Sequence, residues 1–159
     1  MNDDLYIGID PGAKGGIAMI FGEGQVYDAF PLPMIGSLVN VESLAVSIGE
    51  AIEWKSLRYA TIEKVHSMPG QGVASTFKLG KNYGMLIGML FTLGIPTTFV
   101  TPQAWKKDIL AGTAKDKAAA CEFVVAKYPD VKLVQPRCRN PHDGVADAVC
   151  ICEYGRLNT

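Results

Sequence analysis

The sequence predicts an α/β fold, a mixed five-stranded sheet with helices on both faces, on three observations. Strand-like and helix-like runs follow one another in the order βββαβαβ before a helical C-terminal third. Short turns separate the first three strand runs, which favours an antiparallel meander. The 159 residues are 48% hydrophobic and 19% charged, with mean hydropathy +0.16. That is enough apolar surface for a single domain over 1–159 that folds without a disulfide or metal staple. It excludes a disordered or fibrous chain.

In chain order, LYIGID (Leu5–Asp10) and GIAMIF (Gly16–Phe21) predict two strands joined by the glycine-rich PGAKG turn. Gln25–Phe30 follows the Gly22–Gly24 turn as a third strand, and Pro31 and Pro33 break the pattern. Leu44, Ala45, Ile48 and Ile52 recur at helical spacing and predict a helix over Val41–Trp54. YATIEKV (Tyr59–Val65) is the fourth strand. After the HSMPGQG loop a long apolar helix is expected over Val73–Leu93, stopped by Gly94-Ile95-Pro96, with a fifth strand over Thr97–Val100. Thr101 before Pro102 is a cap followed by proline at the first helical position. Thr113 with Asp116 repeats the capping logic for a helix over Ala114–Tyr128, closed by Pro129. Gln135–Pro141 is a basic, proline-flanked loop, and His142–Tyr154 is a final helix.

The formal charge is −1, so the total points to neither nucleic acid nor a membrane. Its distribution says more: the balance is −6 through Glu63, +5 from Lys64 to Lys117, and zero beyond. Cys121, Cys138, Cys150 and Cys152 have neither zinc-finger nor disulfide-scaffold spacing and read as reduced, mostly buried thiols. The acidic start runs directly into a strand without signal-peptide character, and the longest apolar stretch, Tyr83–Ile95, is too short to span a bilayer. A soluble, cytoplasmic protein with no membrane partner is expected.

Four carboxylates stand out by position. Asp10 ends the first strand just before Pro11-Gly12, and strand ends in α/β sheets are where ligands gather. Glu63 lies inside the fourth strand, which in this order runs beside the first, and a lone buried carboxylate is costly there. Asp143 and Asp147 are four apart on the last helix, a spacing at which like charges destabilise unless a cation lies between them. Each has an ordinary alternative: a turn residue, a water-facing edge residue, a helix cap and an exposed helix charge, respectively. Together they would place −4 in one spot, which two Mg2+ ions would neutralise. Such ions favour hard oxygen ligands, and a pair about 4 Å apart suits phosphodiester hydrolysis.

The blocks IGIDPG, Glu63 in TIEKV, ASTFKLGKNYGML, TPQAWKK…GTAKDK and HDGVADAVCICEYG, in this order over nearly the whole chain, resemble the RuvC-like Holliday-junction resolvases of the RNase H-like superfamily. The compact length and the HDGVADA variant look more like bacteriophage-type members. The resemblance implies an RNase H-like sheet of order 3-2-1-4-5 and a homodimeric, Mg2+-dependent crossover junction endodeoxyribonuclease. Such an enzyme nicks two opposed strands of a four-way DNA junction symmetrically and uses no nucleotide cofactor. It assigns metal binding to Asp10, Glu63 and Asp147. It puts Lys117 near the scissile phosphate and gives Lys106 a part in DNA binding or catalysis.

Three departures accompany it. The last helix carries Asp143 and Asp147 with Gly144 at the usual ligand position, so Asp143 is one residue early and His142 is its alternative. His66 replaces the aromatic that often follows the strand glutamate by three residues, leaving His66, Met68 or the Gly70–Gly72 loop to act at the junction centre. The net charge is not basic, so DNA must be held locally.

The resulting expectation is two Mg2+ ions per site, Mn2+ substituting, held by Asp10, Glu63, Asp143 and Asp147, with Lys117 steadying charge. Lys78, Lys81, Lys106, Arg137 and Arg139 are expected on backbone phosphates, which makes affinity salt-dependent. His66, Lys107 and Lys115 join that set, although the last two read better as ordinary exposed lysines at helix starts. The helix over 73–93, with Gly84, Gly88, Met85 and Met89, is expected to form a dimer face unless it is plain core. The rivals are a broader nuclease cutting branched or flap DNA and a non-catalytic junction-binding protein. An actin-like ATPase needs two such domains, which 159 residues do not supply.

Overall fold

A computed structural model of the chain describes residues 4–52 and 58–159. The elements are β1 (Leu5–Asp10), β2 (Gly16–Phe21), β3 (Val26–Pro31), β4 (Met34–Ile35), β5 (Leu38–Val39), α1 (Val41–Ile52), β6 (Arg58–Glu63), α2 (Val73–Thr92), β7 (Thr97–Val100), α3 (Pro102–Ile109), α4 (Lys117–Lys127) and α5 (Asp143–Asn158). The main sheet has the order β3-β2-β1-β6-β7. β1–β2 and β2–β3 are antiparallel, whereas β1–β6 and β6–β7 are parallel. Counting only the strands of this sheet, that is the expected order 3-2-1-4-5.

Alternation along β1 divides the core. Leu5, Ile7 and Ile9 face α1 and α2, packing with Leu44, Ile48, Leu86 and Leu90. Tyr6, Gly8 and Asp10 face the other side, where Trp105 of α3, Val124 of α4 and Val145 and Val149 of α5 form a second cluster with Tyr6. α5 lies directly on β1 because Gly8 has no side chain: a Cβ there would collide with the Ala148 carbonyl and the Cys152 backbone. At its start, Gly144 forms a bridge with Gly15, and a Cβ on Gly144 would strike the Lys14 carbonyl. Every residue from Gly144 to Glu153 except Asp147 is buried, so α5 is apolar all round and shows no amphipathic period.

The structure corrects several expectations. The strand carrying Glu63 ends at Glu63, not Val65, so this carboxylate closes the strand instead of lying within it. Pro31 is the last residue of β3, tolerated because β3 is an edge. The helix placed at Ala114 begins at Lys117, since Asp116 Oδ1 accepts from the amides of Ala118 and Ala119 and caps it. Thr113 instead closes a turn, its hydroxyl donating to the Leu110 carbonyl and accepting from the Lys115 amide. The last helix runs on to Asn158. The hairpin β4–β5 was not expected at all. Met89 is buried against the sheet and so leaves the expected dimer face. The end of the helix placed over Val41–Trp54 lies outside the described residues.

Glu153, fully buried on α5, ties the frame together. It accepts from Tyr128 at 2.7 Å, from Arg156 at 2.7 and 2.9 Å, and from Lys127. Burial works against its charge, but these bonds hold its pKa down to about 2. Cys150 and Cys152 are buried free thiols, Cys121 is half-buried, and Cys138 is exposed. Among the described residues no helix is long and apolar enough to cross a membrane.

Candidate active site

β1 and β6 run parallel with Ile9 opposite Ile62, so Asp10 and Glu63 come next at the same edge of the sheet. Gly8 and Asp10 point to the α5 side, and so does Thr61, which packs against Gly155. Glu63, two residues on, therefore points there as well. The glycine contacts that seat α5 on β1 lower its first turns onto this edge, and Asp147, half-buried, arrives above Asp10.

The proximity is legible in the carboxyl groups themselves. Asp147 is pushed up to about 7, first by burial and then by the charge of Asp10, with Glu63 and Asp143 adding to it and Lys106 opposing. Asp10 is raised by burial, against the Gly12 amide, His142 and Lys106. Glu63 is raised by burial and by Asp10, against the Trp105 indole and Lys106. Asp10, Glu63 and Asp147 therefore share one field.

Each expected site residue has a definite place. Asp10 Oδ1 accepts from the Gly12 amide at 2.9 Å, so its ordinary role in the turn holds alongside its place in the cluster. Glu63 is on an interior strand, not a water-facing edge. Asp143 is exposed and does not cap α5; His142 does, its Nδ1 accepting from the Val145 amide at 3.1 Å. Asp143 Oδ1 instead faces the Cys121 thiol of α4 at 3.9 Å. Burial and the charges of Asp143 and Asp147 push that thiol upward, keeping it protonated. Lys106 is the lysine whose charge acts on Asp10, Glu63 and Asp147. Lys117 is exposed as the first residue of α4, and Lys107 and Lys115 are exposed, Lys115 in a left-handed conformation at φ 54°.

Two grooves lead away from the carboxylates. One, of 640 Å³, has Glu63, Lys64, His66 and Lys78 among its walls. The other, of 410 Å³, includes Lys14, Arg139, His142 and Asp143. Arg137 is exposed on the same loop as Arg139, with φ 65°. Lys81 is exposed on α2 with its ammonium 5.9 Å from the Phe77 ring.

The residue that inspection of the sequence missed is Trp105. Fully buried on α3, it donates from its indole to Glu63 Oε2 at 2.6 Å, and the Lys106 ammonium lies 5.2 Å from its ring. The available signal was the indole itself: a buried tryptophan N–H needs an acceptor.

Does this donor set fit a divalent cation? Its chemistry does: several carboxylates crowd one edge, and the repulsion that adds to burial in lifting Asp147 is what a cation relieves. Its spacing is open, since among the described residues no three His, Cys, Asp or Glu side chains are arranged to hold an ion as they stand. A cation that retains several of its own waters does not require a closed protein cage.

No protein-family model and no curated protein matches the sequence. Solved structures do match in fold. The T. thermophilus RuvC in complex with a Holliday junction substrate superposes with a TM-score of 0.70 at 15% identity, covering 98% of this chain and 96% of that one. A second Thermus thermophilus RuvC structure gives 0.64 at 19% identity, covering 98% and 97%. The yeast mitochondrial Holliday junction resolvase gives 0.55 at 12% identity, covering 98% and 78%. Over nearly its whole length, this chain has the RNase H-like fold seen in the RuvC resolvases.

Proposed function

We propose that the protein is a structure-selective endonuclease that resolves four-way DNA junctions by paired, symmetric nicks. The observation that carries this is the convergence of Asp10, Glu63 and Asp147 on one sheet edge, with Asp147 pushed up to about 7 by burial and by its acidic neighbours. Such crowding is costly for folding, and recruiting a cation offsets that cost. The match to a resolvase bound to a junction supports the substrate class.

Asp10, Glu63 and Asp147 would hold Mg2+, or Mn2+ in its place, with Asp143 or His142 as the further donor. The bound cations would supply Lewis-acid activation of water and charge neutralisation at the phosphate. The reaction is hydrolysis: a P–O bond forms from water, the bond to the leaving strand end breaks, and the leaving oxygen takes up a proton. Trp105 fixes the Glu63 carboxylate so that it cannot swing away from the edge. Lys106 balances the acidic cluster and then faces the phosphate. Lys117, at the start of α4, steadies the negative charge that develops during attack. Lys78 and Arg139, one in each groove, hold backbone phosphates, and the exposed Lys81 and Arg137 do so outside the groove linings.

Symmetric nicking needs two sites, and α2 offers the surface that would pair them. Its outward stripe of Val73, Phe77, Gly80, Gly84, Gly88 and Phe91 is exposed, opposite the face that packs on the sheet. Small residues there allow two helices to approach closely.

The test is a synthetic four-way junction incubated with and without Mg2+, with cuts mapped on all strands. Paired cuts at symmetric positions, only with the cation, are expected. Binding without cutting makes the protein a junction-binding module, and indifferent cutting of flaps and fixed arms makes it a general branched-DNA nuclease.

A further inference from the structure

We propose that the β4–β5 hairpin parts the DNA strands at the branch point, its apolar tip lodging among bases while Lys64 and Lys78 of the adjoining groove hold the phosphates of the displaced strand. This rests on the nuclease function proposed above and names how that site takes its substrate.

The hairpin has two residues per strand, too few to stand alone. It is nevertheless fixed. The buried Asn82 of α2 accepts from the Val39 amide at 3.1 Å and donates to the Ser37 carbonyl at 3.0 Å. Leu32 and Val39, on either side of its base, are in the core, and the Asn40 amide donates to the Pro33 carbonyl at 2.8 Å. On this rigid base sits an apolar tip: Ile35 is 67% exposed and Met34 39%, beside Gly36 at φ 60°. A small domain gains nothing in stability from holding an isoleucine in water at the end of a braced turn.

The surroundings say what the tip meets. Met34, Gly36 and Ser37 form one side of the 640 Å³ groove, whose lining also includes Glu63, Lys64, His66 and Lys78. Among the described residues Glu63 is the groove's one acidic residue, and it belongs to the proposed cutting edge. Lysines and the exposed methionines Met34 and Met68 line one groove, with Ile35 projecting from the turn just outside that lining. This suits a single nucleic-acid strand, with phosphates on the lysines and base faces on the hydrocarbon. Apolar side chains inserted between base steps unstack them at a cost of a few kcal/mol per step, least where pairing is already broken. A four-way branch point is such a place. The outward stripe of α2 is on the opposite side of that helix, so this groove stays open when two copies pair.

The experiment compares two junctions of equal sequence, one fully paired and one with mismatches that open its centre. Ile35→Ser should lower cutting of the paired junction by roughly tenfold and of the opened one by much less, since the unstacking cost is already met there. Val46→Ser on α1, equally a loss of an exposed apolar side chain, should change neither. With 2-aminopurine at the branch point, an Asp10→Asn protein should raise fluorescence on binding, and Asp10→Asn with Ile35→Ser should raise it far less. Lys78→Ala should weaken binding to both junctions alike. Circular dichroism and melting confirm that each variant folds. An unchanged ratio of paired to opened cutting with unchanged fluorescence overturns the hairpin's role alone. Absence of cutting by the unaltered protein overturns the nuclease function and the hairpin's role with it.

Discussion

The indole N–H of Trp105 and the carboxylate of Glu63 meet at 2.6 Å, a buried ring on α3 reaching the last residue of β6. The contact joins the helix that carries Lys106 to the strand that carries the glutamate, so both groups are placed by one packing event. It also biases Glu63 toward its charged form against the burial that would neutralise it.

Trp105→Phe deletes the donor and keeps an aromatic ring in the site, at the further cost of a small cavity where the five-membered ring packed. Losing a hydrogen bond to a charged group costs about 1.5–3 kcal/mol. We expect Mn2+ affinity, followed by calorimetry, to fall by about tenfold or more, in line with that cost. The acidic limb of the rate profile should move to higher pH because Glu63 loses a contact that lowers its pKa. Unchanged affinity with a lowered melting point would reduce Trp105 to a packing residue.

Asp147 makes stability depend on pH in a defined direction. Its proton is held up to about 7 in the folded chain against an ordinary value of 3.8. The folded state therefore binds more protons across that window, and without divalent cation stability falls as pH rises from about 4 to 7, then levels off. Asp147→Asn reduces the dependence, leaving the smaller part due to Asp10 and Glu63, and should be more stable than the parent at pH 8 by on the order of 2 kcal/mol, with little difference at pH 4. Added Mg2+ should raise the melting point of the parent but not of Asp147→Asn. Urea melts at the two pH values check this.

Much of the fold was legible in the sequence because its strands are bounded by proline and glycine and its long helix by Gly94 and Pro96. Asp10 stood out at a strand end before Pro11-Gly12, Glu63 within a β-branched run, and Asp147 four residues after Asp143 among apolar neighbours. The structure brings these three carboxyl groups into one field. What stayed hidden depends on contacts between distant segments. Trp105 gains its meaning only from a strand forty-two residues earlier. The β4–β5 hairpin is held by Asn82, forty-three and forty-five residues away, and its own four strand residues carry no pattern. The start of α4 was misplaced because Thr113 and Asp116 are both good caps, and only the backbone reversal at Lys115 decides between them.

Asp10→Asn should abolish nicking and leave junction binding intact. Asparagine retains an oxygen that can accept from the Gly12 amide, so the turn survives while the charge is lost. Gel-shift and cutting assays on one preparation separate the two. Continued cutting would remove Asp10 from the chemistry.

The lysines of α3 should behave differently although they are adjacent. Lys106 acts on three carboxyl groups, so Lys106→Ala should lower the cutting rate strongly even at saturating DNA. Lys107 is exposed, and Lys107→Ala should at most flatten the dependence of binding on salt by about one phosphate contact. Single-turnover rates and a salt titration read these out.

Gly8→Ala should be among the most damaging small substitutions outside the carboxylates. Its Cβ would force α5 off β1, and overpacking of this kind costs about 1–3 kcal/mol or more. Lower stability together with weaker cation binding is expected, because the same displacement lifts Asp147 from Asp10.

Because Asp10 and Glu63 directly follow partners on adjoining strands, the rungs of the peptide ladder act as a gauge for the distance between their backbones, about 4.8 Å by the geometry of any sheet. No loop rearrangement can widen or narrow that span. With the backbones held at that span, reach at this edge is set by the choice of aspartate or glutamate, a difference of one methylene, so the uneven lengths of the two acids are themselves a dimension of the carboxylate cluster.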